Sequence, residues 1–246
     1  MKMEKETDLQ NINQAENKNF GESIQKFSEE VDFYYRVEKM FLIGGRVVPD
    51  EYSVISNLFQ LCHHNLIFSF INLLRVHLSE PGIVNRKSIE AIGQATIIAE
   101  NPDIYSRIWC KGENEKETKE NKKLFKGIFK NDKFKNCKNK EELKNCYRIF
   151  SVFAHVNITT GMHRFKRADN KMMFGYFDLE VDDIGAWMTR YLNYTLLTYI
   201  LILEEFADTF GDVFVASKEH LDGIKNEHKL YMETKRELLS QNGKYI

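Results

Sequence analysis

Proline and glycine are scarce in this chain: three prolines and thirteen glycines among 246 residues. That excludes a collagen-like or proline-rich extended molecule and leaves long stretches free to be helical. Cysteine is scarce as well. Cys62, Cys110, Cys137 and Cys146 form no C-x-x-C pair, so neither a disulfide framework nor a zinc ribbon is readable, and reduced thiols in a cytoplasmic protein are expected. Long apolar runs are missing. The longest, 66–74 and 192–203, fall short of the roughly 20 residues a membrane span needs, and residues 1–19 lack the apolar centre of a secretory signal. No sign of charge dominates: 35 Lys and Arg against 36 Asp and Glu leave a net charge of −1, which excludes a uniformly basic nucleic-acid coat. Gly44-Gly45 belongs to no P-loop or dinucleotide fingerprint.

What is present is apolar sequence at helical spacing. Hydrophobic residues make up 43% of the chain, enough for a sizeable core. Ile24, Phe27, Val31, Tyr34 and Tyr35 fall at steps of three and four, and Gly44-Gly45 and Pro49 end that segment. Residues 52–78 read as one long helix stopped by Pro81-Gly82. Asn85 is placed to cap the next, which runs to Glu100 and ends before Pro102. Residues 103–110 are a short apolar piece. The stretch 111–140 is the least hydrophobic, a charged loop with one short helix carrying Leu124, Phe125, Ile128 and Phe129. Asn139 with Glu142 three residues on resembles a capping box, opening a helix to Val156. Asp169-Asn170 would turn a hairpin between 165–167 and 172–177. Asp182-Asp183 suit the N-terminus of a helix to Phe210, and a last helix covers 217–240. The expected fold is mainly α: a helical bundle with a small β-hairpin. A disordered tail is expected over 1–20 and a single domain over 21–246, with a basic insert at about 111–140.

On a helical wheel, Leu143, Cys146, Tyr147, Ile149, Phe150, Phe153, Ala154 and Val156 fill one broad apolar arc of 141–156. Arg148 and His155 stand on the other face, two turns apart and nearly in line, with Ser151 between them. The segment Arg148-Ile-Phe-Ser-Val-Phe-Ala-His155 resembles the R-x(4–6)-H signature of the HEPN superfamily of helical domains. Arg86-Lys-Ser-Ile-Glu90 looks like an Arg-x-x-x-Glu helix in HEPN-like bacterial proteins. The similarity covers about 52–210 as architecture and a dozen residues as motif. It implies a metal-independent endoribonuclease of a toxin or phage-defence type, dimeric, with Arg148 and His155 as the catalytic pair. The sequence departs from the family at Ile149, where a polar residue usually follows the arginine.

The residue types suit that chemistry. Transesterification of RNA needs a base for the 2′-hydroxyl, and histidine titrates near neutrality. The negative phosphorane needs fixed positive donors, which a guanidinium supplies. Seven residues separate the pair by about 10 Å along the axis, too far for one phosphate, so a composite site in a homodimer is implied.

Charge distribution supports a polyanionic partner. Residues 1–110 hold 11 basic and 15 acidic groups, 111–171 hold 17 and 8, and 172–246 hold 7 and 13. Lys122 and Lys123 precede the Arg148 helix, while Arg164, Lys166 and Arg167 follow it. Phe125, Phe129, Phe134 and Phe165 are interleaved and would stack on bases. Ser151, Arg164, Lys166, Arg167, Lys122 and Lys123 are therefore candidate RNA contacts, and Arg86 and Glu90 would form a salt bridge or, if buried, a specificity device or site wall. The acidic last third would pair with the basic block of another subunit. Cys62, His63 and His64 are consecutive and diverge by about 100° each on a helix, so no metal site and no cofactor are expected. The expected partners are RNA, a second copy, and an antitoxin or other defence-system protein, with no membrane. The alternative is a non-catalytic HEPN-like module binding nucleic acid, nucleotide or a partner protein.

Overall fold

The computed structural model describes residues 7–45, 48–110, 115–127, 129, 137–154, 165–168, 171–174, 185–215 and 217–241. Nine α-helices occur among them: α1 (Thr7–Lys26), α2 (Ser28–Ile43), α3 (Ser53–Leu74), α4 (Ser79–Ala99), α5 (Pro102–Cys110), α6 (Glu115–Phe125), α7 (Lys140–Ala154), α8 (Gly185–Phe210) and α9 (Lys218–Gln241). Two short strands, β1 (Phe165–Ala168) and β2 (Lys171–Phe174), pair antiparallel with Phe165 opposite Phe174 and Ala168 opposite Lys171. The Asp169-Asn170 turn and the Asp182-Asp183 helix start lie outside the described residues. The molecule is mainly helical, and no described helix is long and apolar enough to cross a membrane.

α3, α4 and α8 form the centre. α3 lies along α4, α8 packs on both, and α2, α7 and α9 cover the remaining faces. Ile55, Phe59, Leu66, Ile89, Ile92, Leu196, Ile200 and Phe206 are all fully buried. A polar network runs through this apolar centre. Ser69 Oγ donates to Asn85 Oδ1 at 2.7 Å, and Asn85 Nδ2 donates to Thr195 Oγ1 at 3.0 Å. Tyr199 donates to Asn85 Oδ1 and shares a hydrogen bond with Ser88, while Asn65 Nδ2 donates to Ser88. Because these buried groups find partners, the network sets the register of α3, α4 and α8 instead of costing desolvation.

Three expectations are corrected here. The long helix ends at Leu74, not Leu78, and Pro81 stands in the first turn of α4, where its missing N–H would be unsatisfied anyway. The stop is a Schellman motif without glycine. Val76 takes φ 68°, its N–H donates to Leu73 O at 2.7 Å, and the His77 N–H donates to Asn72 O at 2.8 Å. Asn85 is accordingly a buried interior residue of α4, not its cap. Residues 7–20, read from composition as a tail, belong to α1. That helix is polar because only a few of its side chains reach the bundle: Ser23 is buried, Phe20 packs on the core, and Glu16 stands 3.1 Å from His77 Nε2.

Two glycines mark close approaches. A Cβ on Gly44 would lie 1.7 Å from the Phe214 carbonyl oxygen, so the α2 end presses directly on the chain after α8. Gly82 is where α4 meets α7: its Cβ would lie 2.9 Å from the Phe150 carbonyl oxygen and 3.0 Å from the Ala154 nitrogen.

Candidate functional site

α7 carries the candidate motif from Arg148 to Ala154, and its start is built by α8. The Leu143 N–H donates to Asn139 O at 2.9 Å. The expected capping box does not form. Glu205 of α8 takes the place of Glu142: its carboxylate accepts the backbone N–H of Lys138 at 3.2 Å and of Asn139 at 2.5 Å. The Asn139 side-chain amide donates to Glu204 at 2.9 Å. Burial pushes the Glu205 carboxyl up, against the pull of these N–H donors. Lys138 reaches Asp208 at 3.1 Å, and Lys218 also pairs with Asp208. Burial would raise the Asp208 carboxyl, but hydrogen bonds from Lys218 and Lys138 outweigh it and hold the group below its ordinary value. This part of the acidic last third thus pairs with Lys138 of its own chain.

The inner face of α7 is set against α4 and α8. Leu143, Cys146 and Phe150 are buried, and the Phe150 ring stacks on Tyr191 with centroids 5.9 Å apart. Burial raises the Cys146 thiol, which makes it packing and not a nucleophile. On the outer face Lys144 pairs with Glu141 at 3.4 Å. Arg148 is exposed and has no hydrogen bond or ion pair among the described residues. Ser151 Oγ donates to the Tyr147 carbonyl at 2.7 Å, so its proton is engaged within the helix.

Arg86 and Glu90 do not form the expected salt bridge. Tyr147, from α7, stands between them. Arg86 Nη2 donates to the Tyr147 hydroxyl at 2.8 Å, and that hydroxyl donates to Glu90 at 2.9 Å. The Arg86 guanidinium carbon is 4.7 Å from the Tyr147 ring centroid, and the edge of Phe129 meets the same ring at 5.1 Å. Burial raises the phenol; Arg86 opposes that and Glu90 adds to it. By helical angle Tyr147 belongs to the apolar arc of the helix. Its position one residue before Arg148 gave no hint of the α4 partners, which lie 57 and 61 residues away.

His155 and Arg164 lie outside the described residues, as do the side chains of Lys166 and Arg167. In the β1–β2 ladder Lys166 is opposite Met173 and Arg167 opposite Met172. Lys122 and Lys123 are exposed in the last turn of α6. Phe125 is buried, so it packs the core and is not open for stacking, and Phe129 is half-buried against Tyr147. Phe134 and the Phe165 side chain lie outside the described residues.

Cys62, His63 and His64 point apart. Cys62 is buried with its thiol toward the Ser88 carbonyl, and His63 stacks on Phe41 with Glu38 3.8 Å away. Burial lowers the His63 imidazole. His64 is exposed. No group of three or more metal-capable side chains occurs among the described residues. No protein-family model, curated protein or solved structure matches the chain.

Proposed function

We propose that this is a HEPN-like helical protein that cleaves RNA without a metal. The observation that supports it is Arg148: an exposed guanidinium with no partner among the described residues, on the outer face of a helix whose inner face is buried. Arg148 holds the scissile phosphate, and His155 takes the proton of the 2′-hydroxyl. The 2′-oxygen bonds to phosphorus as the bond to the 5′-oxygen breaks, and the leaving oxygen takes up a proton. The seven-residue spacing of Arg148 and His155, about 10 Å at a helical rise, implies that a second copy supplies the other half of each site. Lys122, Lys123 and the β1 hairpin residues Lys166 and Arg167 would hold the flanking chain. A toxin or phage-defence role in the cytoplasm, with an antitoxin or other defence protein as partner, completes the proposal.

A non-catalytic RNA-binding module is the second reading. Ile149 directly after the arginine and the Ser151 hydroxyl bonded into its own helix favour it. A labelled RNA incubated with purified protein in chelator separates the two. Cleavage to cyclic-phosphate ends, slowed about 100-fold or more in His155→Ala, is expected. Equal cleavage by both proteins would remove the nuclease reading, and binding without cleavage would leave the module.

A further inference from the structure

We infer that the phosphate-binding surface is shared by two helices, with Arg86 and Lys87 of α4 contributing beside Arg148 of α7, and that Tyr147 is the residue that positions Arg86. This rests on the proposed action on RNA and extends it to residues outside the motif. The ligand is the phosphodiester backbone of single-stranded RNA.

The geometry at Tyr147 carries it. Arg86 is half-buried, and one of its five N–H donors goes to the Tyr147 hydroxyl. The phenol passes its own proton toward Glu90, so the carboxylate restrains the arginine through a neutral group. No ion pair joins Arg86 to Glu90 among the described residues. The guanidinium charge is therefore not cancelled at contact distance. Arg86 Nε is shielded and has no partner among the described residues. An arginine kept rigid yet not neutralised suits a phosphate better than a structural ion pair would.

The neighbouring charges agree in sign. Lys87 is exposed and has no ion pair among the described residues. On α7, Ser151 lies about 40° round from Tyr147 and Arg148 about 100°. A strip thus runs from Arg86 over Tyr147 and Ser151 toward Arg148, with the exposed Lys87 beside Arg86 on α4 and about 100° round from it. Arg86, Lys87 and Arg148 are the cations of this region, while Lys144 beside Arg148 is paired with Glu141.

The test is the salt dependence of binding to a labelled single-stranded RNA, with thermal melts for every variant. Wild type is expected to bind at about 50 mM salt, with affinity falling steeply as salt rises. Arg86→Gln and Lys87→Gln are each expected to weaken binding about threefold to tenfold and to lower the log–log salt slope by about 0.7. Tyr147→Phe keeps every charge and the ring, so it should weaken binding while leaving the slope unchanged. If Arg86→Gln fails to fold, the exposed Lys87 and the isosteric Tyr147→Phe decide the matter. Loss with Arg148→Ala but wild-type affinity and slope in Lys87→Gln and Tyr147→Phe would overturn the two-helix surface and leave the RNA function standing. No binding by wild type at low salt would overturn both.

Discussion

Gly44 and Gly45 look alike in sequence and do different work. Gly45 has φ 63°, a region that disfavours any side chain, and its N–H donates to Val213 O at 3.2 Å. Gly44 has an ordinary extended backbone, φ −75° and ψ 161°, but no room beside the Phe214 carbonyl. Gly44→Ala is therefore expected to cost about 3 kcal/mol, near the upper end for overpacking, because backbone must move. Gly45→Ala should cost about 1–2 kcal/mol. Chemical denaturation of the two variants gives the ranking. His228 is a second residue whose role depends on its surroundings. It is buried, with Nε2 bonded to Asn193 Oδ1 at 2.9 Å and its ring edge-on to Phe33. Asn193 Nδ2 donates to Glu30 and to Thr189 O, so Oδ1 must accept and the imidazole is the neutral Nε2–H form. Burial lowers this group from 6.5 to about 4. The unfolded chain binds the proton first as pH falls. Its contribution to stability is therefore full above 6.5 and lost on the way down to 4, about 3 kcal/mol in all. Urea titrations at pH 7 and pH 4 should show a smaller pH loss in His228→Gln than in wild type; parallel losses would contradict this.

At the scale of elements, α7 is held at both ends by other helices. Glu204 and Glu205 of α8 hold the side chain and backbone N–H of Asn139, just before its first turn, and Gly82 of α4 admits its last turn. Adding a methyl at Gly82 pushes directly on the Phe150 carbonyl and the Ala154 nitrogen. Gly82→Ala is expected to cost about 2 kcal/mol and to shift the end of α7 away from α4. A melt combined with hydrogen exchange along 146–154 would check it; unchanged protection there would argue against the contact. The period of the apolar residues made α7 readable as a helix because Leu143, Cys146 and Phe150 share one face. The end of α3 was not readable, because Val76 occupies the left-handed position that normally announces itself as glycine. Pro81 misled for a related reason: proline breaks a helix interior but is at home in a first turn. The polar composition of 7–20 hid α1, since a helix lying on a bundle needs few buried residues.

For the whole molecule, the burial pattern sorts the thiols. Cys62, Cys137 and Cys146 are buried and Cys110 is exposed. Burial raises all three enclosed thiols, so they are both inaccessible and mostly protonated. A native protein should react with a bulky thiol reagent at one cysteine quickly and at the other three only on denaturation. Rapid reaction of more than one thiol would show a looser bundle than the structure describes.

Composition and periodicity by themselves determined that the chain is mainly helical, because apolar spacing reports which faces must leave water. They also placed Arg148 on the outer face of α7, for the same reason. Which groups meet across that helix was decided only by tertiary structure. Tyr147 belongs to the apolar arc by angle, yet its hydroxyl joins Arg86 to Glu90. Asn139 has a plausible local partner in Glu142 and is held instead by Glu204, with Glu205 accepting its backbone N–H. A hydrogen bond depends on distances of a few tenths of an ångström between residues far apart in the chain, and no local pattern encodes them.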